Sequence, residues 1–229
     1  MENIKINEII FDKETSIWKT KLDLKKFKKE FIDICYEEIE FNKQIKTDGY
    51  IYKYHAKYKL GNSKWEASNS KEILINTDLD RVIEKSINIS ENIYINSGNS
   101  WNIINSYCWI NRIRSIKPVQ YTFYKKNRNE KFHTHTEISK KNDKFYPNYT
   151  WVYYIEMPNV IRENTDDALL YLKSKNGIEY SILPEEDDLI IMPGDMPHLP
   201  MNAPLATNDR IVLAGNVGFE MIKIKKTLF

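Results

Sequence analysis

Apolar residues fall at Leu24, Phe27, Phe31, Ile34, Cys35 and Ile39, in steps of three and four, with Lys and Glu between them. This spacing predicts an amphipathic helix over residues 22–44. Over residues 50–59 the period drops to two, with aromatics at Tyr50, Tyr52, Tyr54 and then Tyr58, which predicts a strand. A second helix is expected from about Asp78, with Leu79, Val82, Ile83 and Ile87 turned inward and Thr77 or Asp78 capping its free N–H groups.

Beyond Trp101 the texture changes. Short runs rich in Val, Ile, Tyr and Phe alternate with polar breaks, and strands are expected at 119–126, 131–135, 149–157, 168–174, 178–183, 188–192, 198–202 and 210–221. Short strands at regular spacing, without helices between them, predict an antiparallel sandwich or barrel. No internal repeat or low-complexity linker divides the chain. Residues 1–229 are therefore expected to form a single domain, with 1–100 a helical supporting region and 101–229 the β core.

Composition narrows the class. The chain has 34 Lys and Arg against 32 Asp and Glu, a formal net charge of +2. This balance gives no electrostatic footprint for nucleic acid. No apolar run approaches the ~18 residues of a membrane span. The first residues carry no apolar run ending in a small-residue cleavage site, so a cytoplasmic location is expected. Cys35 and Cys108 stand far apart and suggest neither a disulfide framework nor a cysteine zinc site. The seven glycines are too scattered for a phosphate-cradling loop or a dinucleotide fingerprint.

The chemistry lies with the histidines. His133 and His135 flank Thr134 at the end of an expected strand, where residues i and i+2 share a face. His198 follows a buried strand and a Pro193-Gly194 turn. Imidazoles converging in this way, with coordination positions left open, suit Fe(II) better than a closed structural zinc site. Two ligand sets are compatible with the residue types: His133, His135 and His198, or His135, Glu137 and His198, the second supplying the usual carboxylate. Arg210 opens an apolar strand twelve residues after His198, and a guanidinium facing inward there would pair a carboxylate bidentately.

The ordered set resembles the Fe(II)- and 2-oxoglutarate-dependent oxygenases of the double-stranded β-helix fold, a jelly-roll or cupin-like barrel. The resemblance is nearest to oxygenases common in phage and marine bacteria. It rests on Trp109-Ile110-Asn111, Phe132-His133-Thr134-His135, Trp151-Val152-Tyr153-Tyr154, the 192–198 turn ending in His198, and Asp209-Arg210-Ile211-Val212. It implies that His133, His135 and His198 hold the iron, with His135 standing where most of the superfamily has an acid. It implies that Arg210 clamps the distal carboxylate of 2-oxoglutarate, and that Tyr154 and Tyr124 donate hydrogen bonds to the same co-substrate. The implied reaction is hydroxylation of a substrate by dioxygen, coupled to decarboxylation of 2-oxoglutarate to succinate; the sequence names no substrate, and a small metabolite, a peptide side chain and a nucleobase are all compatible with it. Two rival readings share the fold. One is a cupin-type metal enzyme or small-ligand binder without 2-oxoglutarate. The other is a non-catalytic barrel used for binding or assembly.

Overall fold

In a computed structural model of the chain, the described residues are 5–23, 28–29, 32, 51–58, 65–67, 77–96, 101–113, 132–136, 140–141, 144–145, 148–201, 203 and 205–221. The protein is mainly β. Strands β1 (Asn7–Asp12), β2 (Thr15–Lys21), β3 (Ile51–Tyr58) and β4 (Trp65–Ala67) precede helix α1 (Thr77–Ile95). Strand β5 (Trp101–Ile113) follows, then two short strands, β6 (Lys140–Lys141) and β7 (Lys144–Phe145). The remainder is β8 (Asn148–Glu156), β9 (Leu170–Lys173), β10 (Glu179–Ile182), β11 (Asp188–Pro193), β12 (His198–Pro200) and β13 (Arg210–Met221).

Eight strands form one sheet in the order β1-β2-β11-β8-β13-β5-β3-β4, and three form a second in the order β10-β9-β12. Every described pairing is antiparallel. The centre of the large sheet is covered on both faces, so β8, β11 and β13 are buried almost throughout. On one face Trp151, Tyr153, Ile155, Ile211, Leu213 and Val217 pack with Ile87 and Ile89 of α1. On the other, Val152, Tyr154, Ile190, Met192, Val212 and Ala214 pack with Leu170 and Leu172 of the small sheet. This second face, between the two sheets, is the inner wall on which the site is built. No helix among the described residues is long and apolar enough to cross a membrane.

The strands expected over 50–59 and from 149 onward are present with small shifts at their ends, as is the helix from Thr77. Ile87 faces inward as expected, next to Ser86 and Ser90, which are also buried. The Ser90 hydroxyl is satisfied by donating to the Ser86 carbonyl one turn back. The expected helix over 22–44 lies almost wholly outside the described residues, and the strand over 119–126 lies entirely outside them.

The helical character expected of residues 1–100 needs correction, because four strands precede α1. The β1–β2 hairpin turns at Asp12, whose Oδ1 accepts the Glu14 N–H at 2.8 Å. It then extends the large sheet through β2–β11 pairing. Ile17 faces the inner core while Trp18 packs against the α1 side. Strand β5, also unexpected, carries Asn102, Asn105 and Asn111, a residue type depleted in strands, among its Ile, Trp and Tyr residues. Its pairing with β13 from Trp101 to Ile113 outweighs that preference. The strand expected at 131–135 is reduced, among described residues, to a single bridge between His133 and His198.

Candidate metal centre

Strand β11 ends at Pro193, and a turn closed by the Met196 N–H on the Pro193 carbonyl (3.0 Å) leads into β12. His198 opens β12 directly opposite Leu172 of β9. Cross-strand partners share a face, and Leu172 belongs to the core between the sheets, so His198 points into that space. His133 approaches β12 from its other side. The two histidines exchange backbone hydrogen bonds, His133 N–H to the His198 carbonyl at 3.2 Å and His198 N–H to the His133 carbonyl at 3.0 Å. Their rings are 4.4 Å apart between centroids.

His135 is held by two further contacts. Its N–H donates to the Gly194 carbonyl at 2.9 Å, and its carbonyl accepts the Asn148 Nδ2–H at 2.8 Å. Asn148 in turn accepts the Gly194 N–H on its own carbonyl, at 2.9 Å. Three segments distant in sequence are thus locked together. A side chain at Gly194 would collide with the Asn148 carboxamide, so this contact requires glycine.

The outcome is a cluster in which one ligand atom from each of His133, His135 and His198 lies within 4.8 Å of the others. His133 is exposed, His135 half-buried and His198 buried, so the cluster opens outward on one side. The His198 Nδ1 lies 3.0 Å from the Met196 carbonyl. A carbonyl only accepts, so Nδ1 carries the proton and the lone pair lies on Nε2, the arrangement that orients a metal-binding imidazole. Three imidazole nitrogens suit a first-row transition metal such as iron. Among the described residues no carboxylate joins the cluster. Glu137 lies outside them.

Arg210 opens β13 and is almost fully buried, at 2% exposure. Its Nη1–H donates to the Met201 carbonyl at 2.8 Å, just beyond the end of β12. Tyr154 is equally buried on the inner face of β8, with Val212 opposite it. Burial pushes its phenol far above the ordinary value; the Arg210 charge opposes that rise and the Asp188 charge adds to it. Tyr154 is therefore a neutral O–H at physiological pH. Tyr124 lies outside the described residues.

Sequence reasoning missed Asn148 and a buried polar pair on the inner wall, in which the Thr150 hydroxyl donates to Asn216 Oδ1 at 2.6 Å. The available signal was polar residues inside otherwise apolar strands.

Among solved structures, the chain is similar to an oxidoreductase of the 2OG-Fe(II) oxygenase family from Burkholderia pseudomallei, at 10% identity and a TM-score of 0.44, over 73% of this chain and 68% of that one. It is similar to a Pseudomonas putida prolyl-4-hydroxylase at 14% identity and a TM-score of 0.41, over 73% and 69% of the two chains. It is also similar to HygX from Streptomyces hygroscopicus, solved with nickel and 2-oxoglutarate bound, at 9% identity and a TM-score of 0.42, over 94% and 82%. No protein-family model and no curated protein matches the chain. Identity this low leaves the chemistry to the residues themselves.

Proposed function

We propose that this chain is an Fe(II)- and 2-oxoglutarate-dependent oxygenase, a single domain on a double-stranded β-helix, that hydroxylates its substrate, with a small metabolite, a peptide side chain and a nucleobase as the candidate classes. The observation that carries this reading is the convergence of His133, His135 and His198, with ligand atoms within 4.8 Å of one another.

His133, His135 and His198 would hold the metal through neutral imidazole nitrogens. When bound, the metal, the co-substrate and dioxygen would together supply the oxidising chemistry: as 2-oxoglutarate loses carbon dioxide, one oxygen atom of dioxygen goes to the succinate formed and the other converts a substrate C–H to C–OH. The chain's own task is to bind, orient and exclude water. His198 is fixed in one tautomer by the Met196 carbonyl. Arg210 offers a planar fork to a carboxylate, and its burial strengthens that pairing by keeping water out. Its anchor, Met201, is three residues beyond His198, about 10 Å along an extended strand. Tyr154 adds a protonated hydroxyl on the same wall. The exposed side of the cluster, at His133, leaves an approach for substrate.

The test is anaerobic titration of Fe(II) and 2-oxoglutarate, followed by the weak visible charge-transfer band of an iron-bound 2-oxo acid. The band is expected in the native protein, absent in His198→Ala and weakened in Arg210→Ala. Metal binding with no such band would overturn the reading in favour of a cupin-type site. Absence of metal binding would leave a non-catalytic barrel.

A further inference from the structure

The face of the large sheet that α1 covers ends in a group of aromatic rings. Trp18, Tyr94, Trp101 and Tyr149 are each only half-buried against the core. Tyr94, in the last turn of α1, meets Trp101 edge-to-face with ring centroids 4.5 Å apart and Tyr149 at 5.0 Å, and Tyr149 meets Trp18 at 5.4 Å. Rings in this arrangement hold one another in place. Exposed apolar side chains fringe the same group. Ile95 follows Tyr94, and Met221 lies opposite Trp101 in the β13–β5 pairing. Ile10 lies opposite Ser16, which shares a face of β2 with Trp18. Exposed apolar side chains gathered in one place, rather than scattered, mark an interaction surface.

The rim of this surface is acidic. Glu8 is exposed directly opposite Trp18. Asp195 is exposed in the turn that starts at Pro193, the residue opposite Tyr149. Both carboxylates act on the phenols. Burial raises the Tyr94 pKa to about 12 with the Asp195 charge adding to it, and burial, then Tyr94, then the Glu8 charge push Tyr149 up as well. Neutral ring faces beside carboxylates attract cations and repel phosphate. A second copy of this chain in a two-fold contact would set acid against acid. A small ligand is ordinarily enclosed in a cleft, whereas these rings lie open at a surface. Tyr, Trp and Met are enriched where polypeptides dock. We infer that this end of the large sheet is a docking surface for a basic polypeptide segment, whose Lys or Arg side chains lie against the aromatic rings between Glu8 and Asp195. Asp195 adjoins Gly194, whose carbonyl holds the His135 N–H, so the surface borders the turn that leads to His198. The inference stands apart from the oxygenase reading.

The test uses the full chain without added metal. The probe is a short fluorescein-labelled peptide of Arg, Leu and Gly, and the control peptide has Glu in place of Arg. Saturable binding of the Arg peptide is expected by fluorescence polarisation, with quenching of tryptophan emission, and binding of the Glu peptide should be weaker by about tenfold or more. The double variant Glu8→Gln with Asp195→Asn alters two exposed side chains and should keep the native unfolding midpoint. It is expected to bind the Arg peptide about tenfold more weakly. Ile10→Ser should weaken binding severalfold without changing any charge. Absence of Arg-peptide binding, or affinity within about twofold of native in both variants, would overturn the inference. Competition by tetramethylammonium at the peptide's own concentration would overturn it in favour of a small-cation site. Binding that appears only after Lys223, Lys225 and Lys226 are replaced by Gln would overturn it in favour of the chain's own C-terminal segment. No iron enters the assay, so failure here leaves the oxygenase reading untouched, and failure of that reading leaves this result standing.

Discussion

Asn148 on β8 holds His135 by its main chain: its Nδ2–H reaches the His135 carbonyl at 2.8 Å. The imidazole thus depends on a residue from a central strand of the large sheet, although its two neighbours in the cluster are joined to each other at the edge of the small one. Asn148→Ala removes this hydrogen bond, and Gly194→Ala forces the carboxamide aside. Each is expected to cost about 1–1.5 kcal/mol of positioning. Fe(II) or Co(II) affinity, measured by competition with a chromophoric chelator, should fall roughly tenfold, which corresponds to ~1.4 kcal/mol. Native affinity in folded variants would show that the contact does not organise the site.

Arg210 and Tyr154 lend themselves to conservative substitution. Arg210→Lys keeps the charge but loses the planar fork. It is expected to bind 2-oxoglutarate about tenfold more weakly in anaerobic titration. Tyr154→Phe keeps the packing and removes only the hydroxyl, so affinity should fall severalfold while the urea midpoint changes little. If both variants match native affinity, neither residue faces the co-substrate.

Gly215 of β13 sits beneath the Trp151 indole, directly opposite it across the strand pair. A Cβ there would collide with the ring. Overpacking of this kind costs about 1–3 kcal/mol. Gly215→Ala should destabilise the fold by that amount in urea unfolding, and by clearly less when combined with Trp151→Phe. Strict additivity of the two changes would refute a direct clash.

The loop between β8 and β9 is clamped by Arg162 and Asp167, through Nε–Oδ2 and Nη2–Oδ1 contacts of 2.8 Å each. Burial pushes the Asp167 carboxyl up, but the Arg162 hydrogen bonds outweigh it and hold the pKa below the ordinary 3.8. The sign follows: this contribution is fully present above the unfolded value and is lost as pH falls through it towards the folded one. Amide exchange in residues 162–168 should stay slow at pH 6 and rise, relative to the intrinsic rate, below about pH 4. Arg162→Ala should open the loop already at neutral pH. Equal protection in native and variant protein would dismiss the clamp.

Much of the β core was legible because burial on one or both faces writes itself into the residues. The runs at 149–157, 188–192 and 210–221 could hardly be anything but inner strands. The Asn-rich β5 and the Lys-rich β2 were not legible. Asn102, Asn105 and Asn111 in β5 and Lys19 and Lys21 in β2 interrupt the strand-favouring residues around them, so neither run carries a clean period of two, and pairing with β13 and β11 fixes both as strands. The histidine cluster was half legible. The face shared by His133 and His135 follows from strand alternation, but their junction with His198 depends on pairing across more than sixty residues of chain, counted from the sequence numbers.

By itself, the sequence determined the chemical inventory: three histidines in two segments, one arginine opening an apolar strand, and no cysteine or glycine pattern for competing chemistries. Residue type and short-range period suffice for that. Tertiary structure alone decided the arrangement. It brought the three imidazoles together, turned Arg210 inward onto the Met201 carbonyl, and placed Asn148 and Asn216 on the same wall. Those relations are set by sheet order and register, which arise from long-range hydrogen bonding and burial and leave no local trace in the chain.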